Sequence, residues 1–239
     1  GSTAIEGCTL SLEAVRGLLE GNAAVGYPEK HVRMAANYLK ALTWLQKREK
    51  QKALREKEIL ELHRIIGEDC VDEGPVGAYR KMDVRAGLHV GSPWSRVRIE
   101  TRELLEWINS AGDELPAIFS SAIFHLRFVE IHPFRDGNGR EGRALATWQL
   151  YRMGFDNLHI FALDEVLLEN RALYIRALQR VQVEGHDLGE WIEFIAESIL
   201  ETLERVLGRV QAMGVKGVTP VSLTLRQEKL LRLLRERGP

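Results

Sequence analysis

Residues 132–143 read His-Pro-Phe-Arg-Asp-Gly-Asn-Gly-Arg-Glu-Gly-Arg, and they stand between two apolar runs of helical spacing. Upstream, Leu115 to Ile131 carries Ile118, Ala122, Leu126 and Val129 on one face. Downstream, Arg140 to Met153 reads as a second helix. Pro133 is a poor helix continuer, so His132 must fall in the loop that follows the first helix. The chain is therefore constrained to a helix, a tight glycine-containing loop and another helix.

That constraint places reactive groups at a helix start. Gly137 and Gly139 let backbone amides approach an anion with no Cβ in the way. The free amides and positive end of the following helix, expected to begin near Gly139-Arg140, form a phosphate cradle. Arg140 and Arg143 are three apart and share a helix face, and guanidinium grips phosphate oxygens in a fork. Asp136 is an oxygen ligand suited to Mg²⁺ held jointly with phosphates. Asn138 has an amide that can donate to a phosphate oxygen. His132 can accept a proton near neutral pH, the work of a base acting on a hydroxyl nucleophile. Phe134 is expected to pack inward and anchor the loop. Singly, each residue has an ordinary structural reading: Asp-Gly-Asn-Gly is a common turn, and a lone His is usually structural. Together they point to a phosphorylated substrate.

The remaining pattern is mostly helical. Thr9 or Ser11 can cap a helix through Leu12, Val15, Leu18 and Leu19, and Gly21-Asn22 stops it. Helices are expected over Glu29–Lys50, Leu54–Ile66, Val97–Ser110, Leu115–Ile131, Arg140–Met153, Asp164–Val183 and Leu188–Met213. The charged stretch 46–58 reads as a solvated face or connection. Residues 67–94 differ: glycines and prolines punctuate short extended pieces, which suggests a small hairpin turning near Ala86-Gly87. Gly214 to Pro220 breaks the pattern before one more helix, Ser222 to Arg237. The fold class is all-α, a helical bundle with one small β-hairpin.

Composition narrows the function classes. With 33 basic against 34 acidic side chains, net charge is −1, which argues against a general polyanion binder. The two cysteines, Cys8 and Cys70, lack metal-ligand spacing and read as reduced thiols. No apolar run approaches the roughly 20 residues of a membrane span. No signal-peptide pattern is visible, and a soluble, cytoplasmic protein is the expectation.

The segment 132–143 resembles the Fic-domain signature, His-x-Phe-x-Asp/Glu-Gly-Asn-Gly-Arg-x-x-Arg, at every defined position. The likeness extends to Gly77-Ala78-Tyr79-Arg80 through Pro93, similar to the family's flap hairpin, and to Glu169-Asn170-Arg171, Tyr174 and Trp191–Phe194, similar to its later helices. The resemblance implies a protein adenylyltransferase: AMP moves from ATP to a Ser, Thr or Tyr hydroxyl of a target protein and pyrophosphate leaves. His132 would be the base and Asp136 the Mg²⁺ ligand. Asn138 and the amides near Gly137 and Gly139 would hold phosphate oxygens. Arg140 would contact the β-phosphate and Arg143 the γ-phosphate. Val84, His89 and Val90 would lie in a flap that pairs with the target as an added strand. Tyr174 and Asn170 are candidates for the nucleotide side.

Residues 2–7, Ser-Thr-Ala-Ile-Glu-Gly, are similar to the family's inhibitory pattern, Ser/Thr-x-x-x-Glu-Gly/Asn. In that reading, which includes Ser2, Glu6 pairs with Arg143 and takes it from the γ-phosphate. Glu6 also opens an alternative, removal of AMP by a water that the carboxylate orients. A second class, a non-catalytic DNA-binding regulator, rests on the likeness of Leu223–Arg237 to the first helix of a winged-helix module. No recognition helix follows it, so DNA binding is not expected here. The organisation expected is an inhibitory region over 1–21, a catalytic domain over 22–213 with the flap at about 77–93, and a linker and helix over 214–239, with a homodimer as a candidate assembly.

Overall fold

The structure, a computed structural model, describes residues 1–51, 53–72, 74–155, 159, 162–183 and 188–212. In chain order the helices are α1 (Ser2–Ile5), α2 (Leu12–Leu19), α3 (Glu29–Gln46), α4 (Glu56–Gly67), α5 (Val97–Ile108), α6 (Ala111–Glu114), α7 (Ala117–Ile131), α8 (Asn138–Arg152), α9 (Leu163–Glu169), α10 (Arg171–Val183) and α11 (Gly189–Ala212). Between α4 and α5 lies an antiparallel hairpin, β1 (Arg85–Ala86) and β2 (His89–Val90), with Arg85 opposite Val90 and Ala86 opposite His89. The all-α fold with a small hairpin thus matches the sequence expectation. Gly1–Thr202 forms one compact unit, which holds the residues discussed below. The expected break at 214–220 and helix over Ser222–Arg237 lie outside the described residues.

The core joins Tyr38, Ala41 and Leu45 of α3, Ile59, Leu62 and Ile66 of α4, Leu104, Leu105 and Ile108 of α5, Phe124 and Phe128 of α7, and Leu145 and Trp148 of α8. Helix α7 is buried at Ile118, Ser120, Ala122, Phe124, His125, Leu126, Phe128 and Val129, wider than one face. A helix apolar around most of its circumference belongs at the centre of a bundle. Helix α8 is buried from Asn138 to Tyr151 at nearly every position, its charged residues included. The motif loop joins these two central helices, so the site is anchored in the middle of the core.

Local chemistry explains where the elements differ from expectation. Ser11, not Thr9, caps α2: its Oγ accepts the Ala14 N–H at 3.2 Å. Thr9 turns instead to His31, at 3.0 Å. The helix expected to run to Lys50 ends at Gln46, and α4 begins at Glu56. The helix expected over Asp164–Val183 breaks at Asn170, whose Nδ2 donates to the Val166 carbonyl at 3.2 Å. The break lies in the backbone, at φ −97° and ψ 28°, while the Asn170 N–H still donates to Val166 at 3.0 Å.

One buried group is at odds with the neutral core. Glu141 is fully buried on α8, and both carboxyl oxygens lack a hydrogen-bond partner among the described residues. Burial pushes its pKa well above the ordinary carboxylate range, so the folded chain keeps the proton. The unfolded chain ionises this group above about pH 4.3. Its contribution therefore erodes stability as pH rises through that value. Glu141→Gln, a neutral isostere, should unfold at higher temperature than the wild type at pH 8, with the gap closing near pH 4. Equal melting temperatures at both pH values would exclude a protonated Glu141.

Candidate active site

His132 closes the C-terminus of α7 in a left-handed conformation, φ 53° and ψ 60°. A non-glycine residue pays about 1–2 kcal/mol to sit there, so neighbouring bonds must hold it. Arg80 Nε donates to the His132 carbonyl at 2.7 Å, and the Arg80 N–H donates to the Pro133 carbonyl at 3.1 Å. The His132 Nδ1 lies 3.2 Å from the Val129 carbonyl. A carbonyl only accepts, so Nδ1 carries the proton and Nε2 is left as the basic nitrogen. Burial is the main influence on the ring and lowers its pKa to about 4, with His89 and Arg80 adding to the shift against the Val129 bond. The imidazole is neutral at pH 7 and ready to accept a proton.

Phe134 is fully buried, as expected, and stacks on His63 with ring centroids 3.7 Å apart and planes 4° apart. His63 Nδ1 accepts the Gly77 N–H at 2.8 Å, and Nε2 donates to the Asp136 carbonyl at 3.0 Å. One buried ring thus joins the flap stem to the motif loop. Asn138 has both ends of its amide committed: Oδ1 accepts the Phe134 N–H and Nδ2 donates to the Phe134 carbonyl, each at 2.9 Å. The carboxamide thereby closes the loop on the backbone four residues before it, and this uses one of the two Nδ2 hydrogens. Asp136 caps the next amide, accepting from Gly137 N at 2.6 Å, and lies 3.2 Å from Arg140 Nη2. Gly137, at φ 82°, starts α8 one residue earlier than expected.

At the opposite wall, α1 presents Glu6 to the start of α8. The helix ends in a Schellman motif: Gly7 N–H bonds the Ala4 carbonyl at 3.0 Å and Cys8 N–H bonds the Thr3 carbonyl at 3.1 Å. This motif needs a left-handed residue, and Gly7 takes φ 91°. The Glu6 carboxylate then reaches two guanidiniums. Its Oε1 lies 2.8 Å from Arg143 Nη2, and its Oε2 lies 2.6 Å from Arg140 Nε. The second contact is an ion pair off the N–H axis, since Arg140 Nε lacks an aligned acceptor. A Cβ on Gly139 would stand 2.7 Å from Glu6 Oε1, so this glycine admits the carboxylate. The sequence pointed to the Arg143 pair; the structure adds Arg140.

Arg143 is held on all sides. Nε donates to Ser2 Oγ at 2.6 Å, Nη2 to the Ser2 carbonyl at 3.1 Å, and Nη1 to Tyr174 Oη at 3.3 Å. Tyr174 Oη in turn meets His125 Nε2 at 3.1 Å. Asp164 lies 3.8 Å from Arg143 Nε and accepts from Tyr38 Oη at 2.9 Å. Burial works against the Arg143 charge, but Tyr174, Glu6, Asp164 and Tyr38 outweigh it, so its pKa rises and the cation persists. Tyr174, a candidate for the nucleotide side, is buried in this support instead, and Asn170 closes α9.

The flap residues divide. His89 turns inward, Nε2 meeting the Glu130 carbonyl at 2.7 Å. Val84 is partly buried, its carbonyl accepting the Gly91 N–H at 3.2 Å. Val90 and Leu88 face solvent, 55% and 67% exposed. Among the described residues, no group of three or more His, Cys, Asp or Glu side chains could hold a metal ion. Sequence reasoning missed His63, His125, Tyr38 and Asp164, and passed over Arg80 as more than a flap residue. Their neighbours in the chain give no signal, because His63 and His125 stand at helical positions, Arg80 stands among hairpin residues, and their partners are distant in sequence.

The site thus combines a neutral histidine at the end of α7 with two buried arginines at the start of α8. Residues 53–150 match the family described as Fic/DOC. Two relatives, each called protein adenylyltransferase Fic, from Drosophila willistoni and Drosophila grimshawi, are 32% identical over 86% of this chain. The chain spans 40% and 41% of their lengths. Among solved structures, Fic-1 from C. elegans is 26% identical with a TM-score of 0.77, covering 89% of this chain and 62% of that one. A Fic family protein from Desulfovibrio desulfuricans G20 shares the fold at 24% identity and a TM-score of 0.76, over 98% of this chain and 72% of that one.

Three histidines set a pH dependence. Burial dominates for His63, His125 and His132, lowering their pKa values to about 4, about 3 and about 4. The unfolded chain protonates them near 6.5 while the folded chain refuses the protons. Their stabilising contribution is complete above pH 6.5 and is lost as pH falls toward 4. Thermal unfolding between these limits should show a falling melting temperature, with at most about 4 kcal/mol lost per pH unit from the three together. In His125→Asn the fall should be shallower; an unchanged slope would contradict a neutral His125.

Proposed function

We propose that this protein is an adenylyltransferase that modifies a hydroxyl side chain of a target protein and is held off by its own Glu6. The observation that carries the reading is one arrangement. A neutral His132 with Nε2 free stands at one end of the motif loop, while Glu6 occupies the anion cradle formed by Arg140 and Arg143 at the other. The names of the relatives support the activity, and the flap supports a target that is a polypeptide.

In the proposed reaction, the target hydroxyl oxygen attacks the α-phosphorus of ATP and its proton passes to His132 Nε2. The bond from the α-phosphorus to the α–β bridging oxygen breaks, and pyrophosphate departs with the electron pair. The α8 amides and the two arginines stabilise the charge that develops on the phosphates. The donor chemistry fits Mg²⁺: Asp136 is a single, partly exposed carboxylate, and this ion commonly takes one or two carboxylates and completes its shell with phosphate oxygens and water. Asp136 would hold it, and it would neutralise phosphate charge. Glu6 competes with phosphate for both guanidiniums, which leaves the α-phosphate misaligned for in-line attack. Among the described residues, no helix is long and apolar enough to cross a membrane.

Glu6→Gly should raise self-labelling from α-labelled ATP and Mg²⁺, and adding His132→Ala should cut it again by about 10²–10⁴-fold. Labelling that does not rise in Glu6→Gly removes the inhibitory role; labelling that survives His132→Ala removes the base. Gly7→Ala strains the motif that aims Glu6 and should give an intermediate rise. A pre-modified target that loses AMP only with the wild type would reassign Glu6 to hydrolysis.

A further inference from the structure

Arg80 lies outside the twelve-residue motif and is only 2% exposed. Its guanidinium is satisfied almost wholly by main-chain carbonyls from both sides of the site. Nη1 donates to Met82 at 2.8 Å, before β1, and Nη2 donates to Ser92, after β2. Nη2 also donates to Ile131 at 3.1 Å, and Nε donates to His132 at 2.7 Å. Both arms of the flap are therefore tied through one side chain to the end of α7 and to the histidine itself. Asp83, 3.8 Å away and exposed, is its nearest carboxylate. A planar fork with donors on three nitrogens suits this set of carbonyls; the single ammonium of lysine does not. The seam is closed at Gly91, where a Cβ would stand 3.0 Å from Arg80 Nη2 and 3.0 Å from His132 Cβ.

We propose that Arg80 is a positioning residue that sets the flap and His132 as one rigid unit, so that a polypeptide docked on the flap brings its hydroxyl to Nε2 at a fixed distance. This rests on the adenylyl-transfer reading. The alternative, a guanidinium that merely stabilises the fold, would weaken every function of the site together. A positioning role is selective, because none of the Arg80 side-chain bonds reaches Asp136, Arg140 or Arg143.

The test uses the Glu6→Gly protein as parent, with Arg80→Lys and Gly91→Ala added singly. Affinity for Mg·ATP is measured by calorimetry and AMP transfer by single-turnover self-labelling. Hydrogen exchange at the Gly91 and His132 amides supplies a readout that needs no catalysis. Transfer should fall about 10–100-fold in Arg80→Lys, since a misplacement of about 1 Å can cost that much, and about 10-fold in Gly91→Ala, with ATP affinity unchanged. Exchange at both amides should accelerate together in each variant. Transfer within twofold of the parent, ATP affinity falling in step with transfer, or unchanged exchange would overturn the proposal. Should Arg80→Lys fail to fold by circular dichroism, Gly91→Ala decides it alone. Absence of transfer in the parent counts against adenylyl transfer, and the exchange measurement then still decides whether Arg80 couples the flap to His132.

Discussion

Arg140 and Arg143 are buried at the start of α8, 1% and 3% exposed, and two cations so placed require an anion. Leaving one partner of a buried ion pair alone costs about 3–5 kcal/mol. The helix N-terminus adds its own positive field in the same direction. Glu6 answers both arginines with one carboxylate, and Asp164 and Asp136 share the remaining charge. The local structure around this point follows. Helix α1 is four residues long, too short to persist in water alone, and exists because Arg143 grips Ser2 while Arg171 grips the Ile5 carbonyl at 2.7 Å.

On the proposed reading, the same requirement makes the cradle an exchange site. Any group that displaces Glu6 must itself be anionic, or the arginines are stranded. Nucleotide phosphates meet that condition, and they move the equilibrium only as far as they outbid the carboxylate. Gly139 is small enough to admit the carboxylate, which a Cβ there would crowd. The Arg140 contact is not aligned along its N–H bond, whereas Arg143 donates to Glu6 directly. The Glu6 contact therefore leans on Arg143, which Tyr174, His125 and Asp164 support from behind.

What the sequence made legible follows from range. The loop over 132–143 was readable because Pro133 and the glycines act locally, and Glu6 because its spacing carried a family resemblance. His63, Arg80, His125 and Asp164 act across tens of residues, and nothing in their immediate neighbours marks them. His63 sits at an ordinary helical position of α4; its two bonds join Gly77 and Asp136, which only the fold brings together. The α9–α10 break escaped for a subtler reason. Asn170 is tolerable inside a helix by propensity, and only its backbone angles, φ −97° and ψ 28°, show that it ends one. Asn138 has a type that suits both phosphate and backbone, and only the fold shows its amide paired with Phe134.

The motif therefore has two kinds of residue, and their interleaving matters. Pro133, Phe134, Gly137 and Asn138 shape the loop; on the proposed reading His132, Asp136, Arg140 and Arg143 carry chemistry along it. Because the builders alternate with the workers, the base end and the phosphate end are set by the same short backbone yet are restrained by different neighbours. Arg80 and Val129 hold His132, whereas Glu6, Ser2 and Tyr174 hold the arginines. Glu6 makes no contact with the histidine end. On the proposed reading, inhibition misplaces the phosphates and leaves the base neutral and aligned. An enzyme held off this way does not need to rebuild its catalytic geometry on release; removal of one carboxylate from two guanidiniums suffices, and the strain stored at His132 is carried through both states.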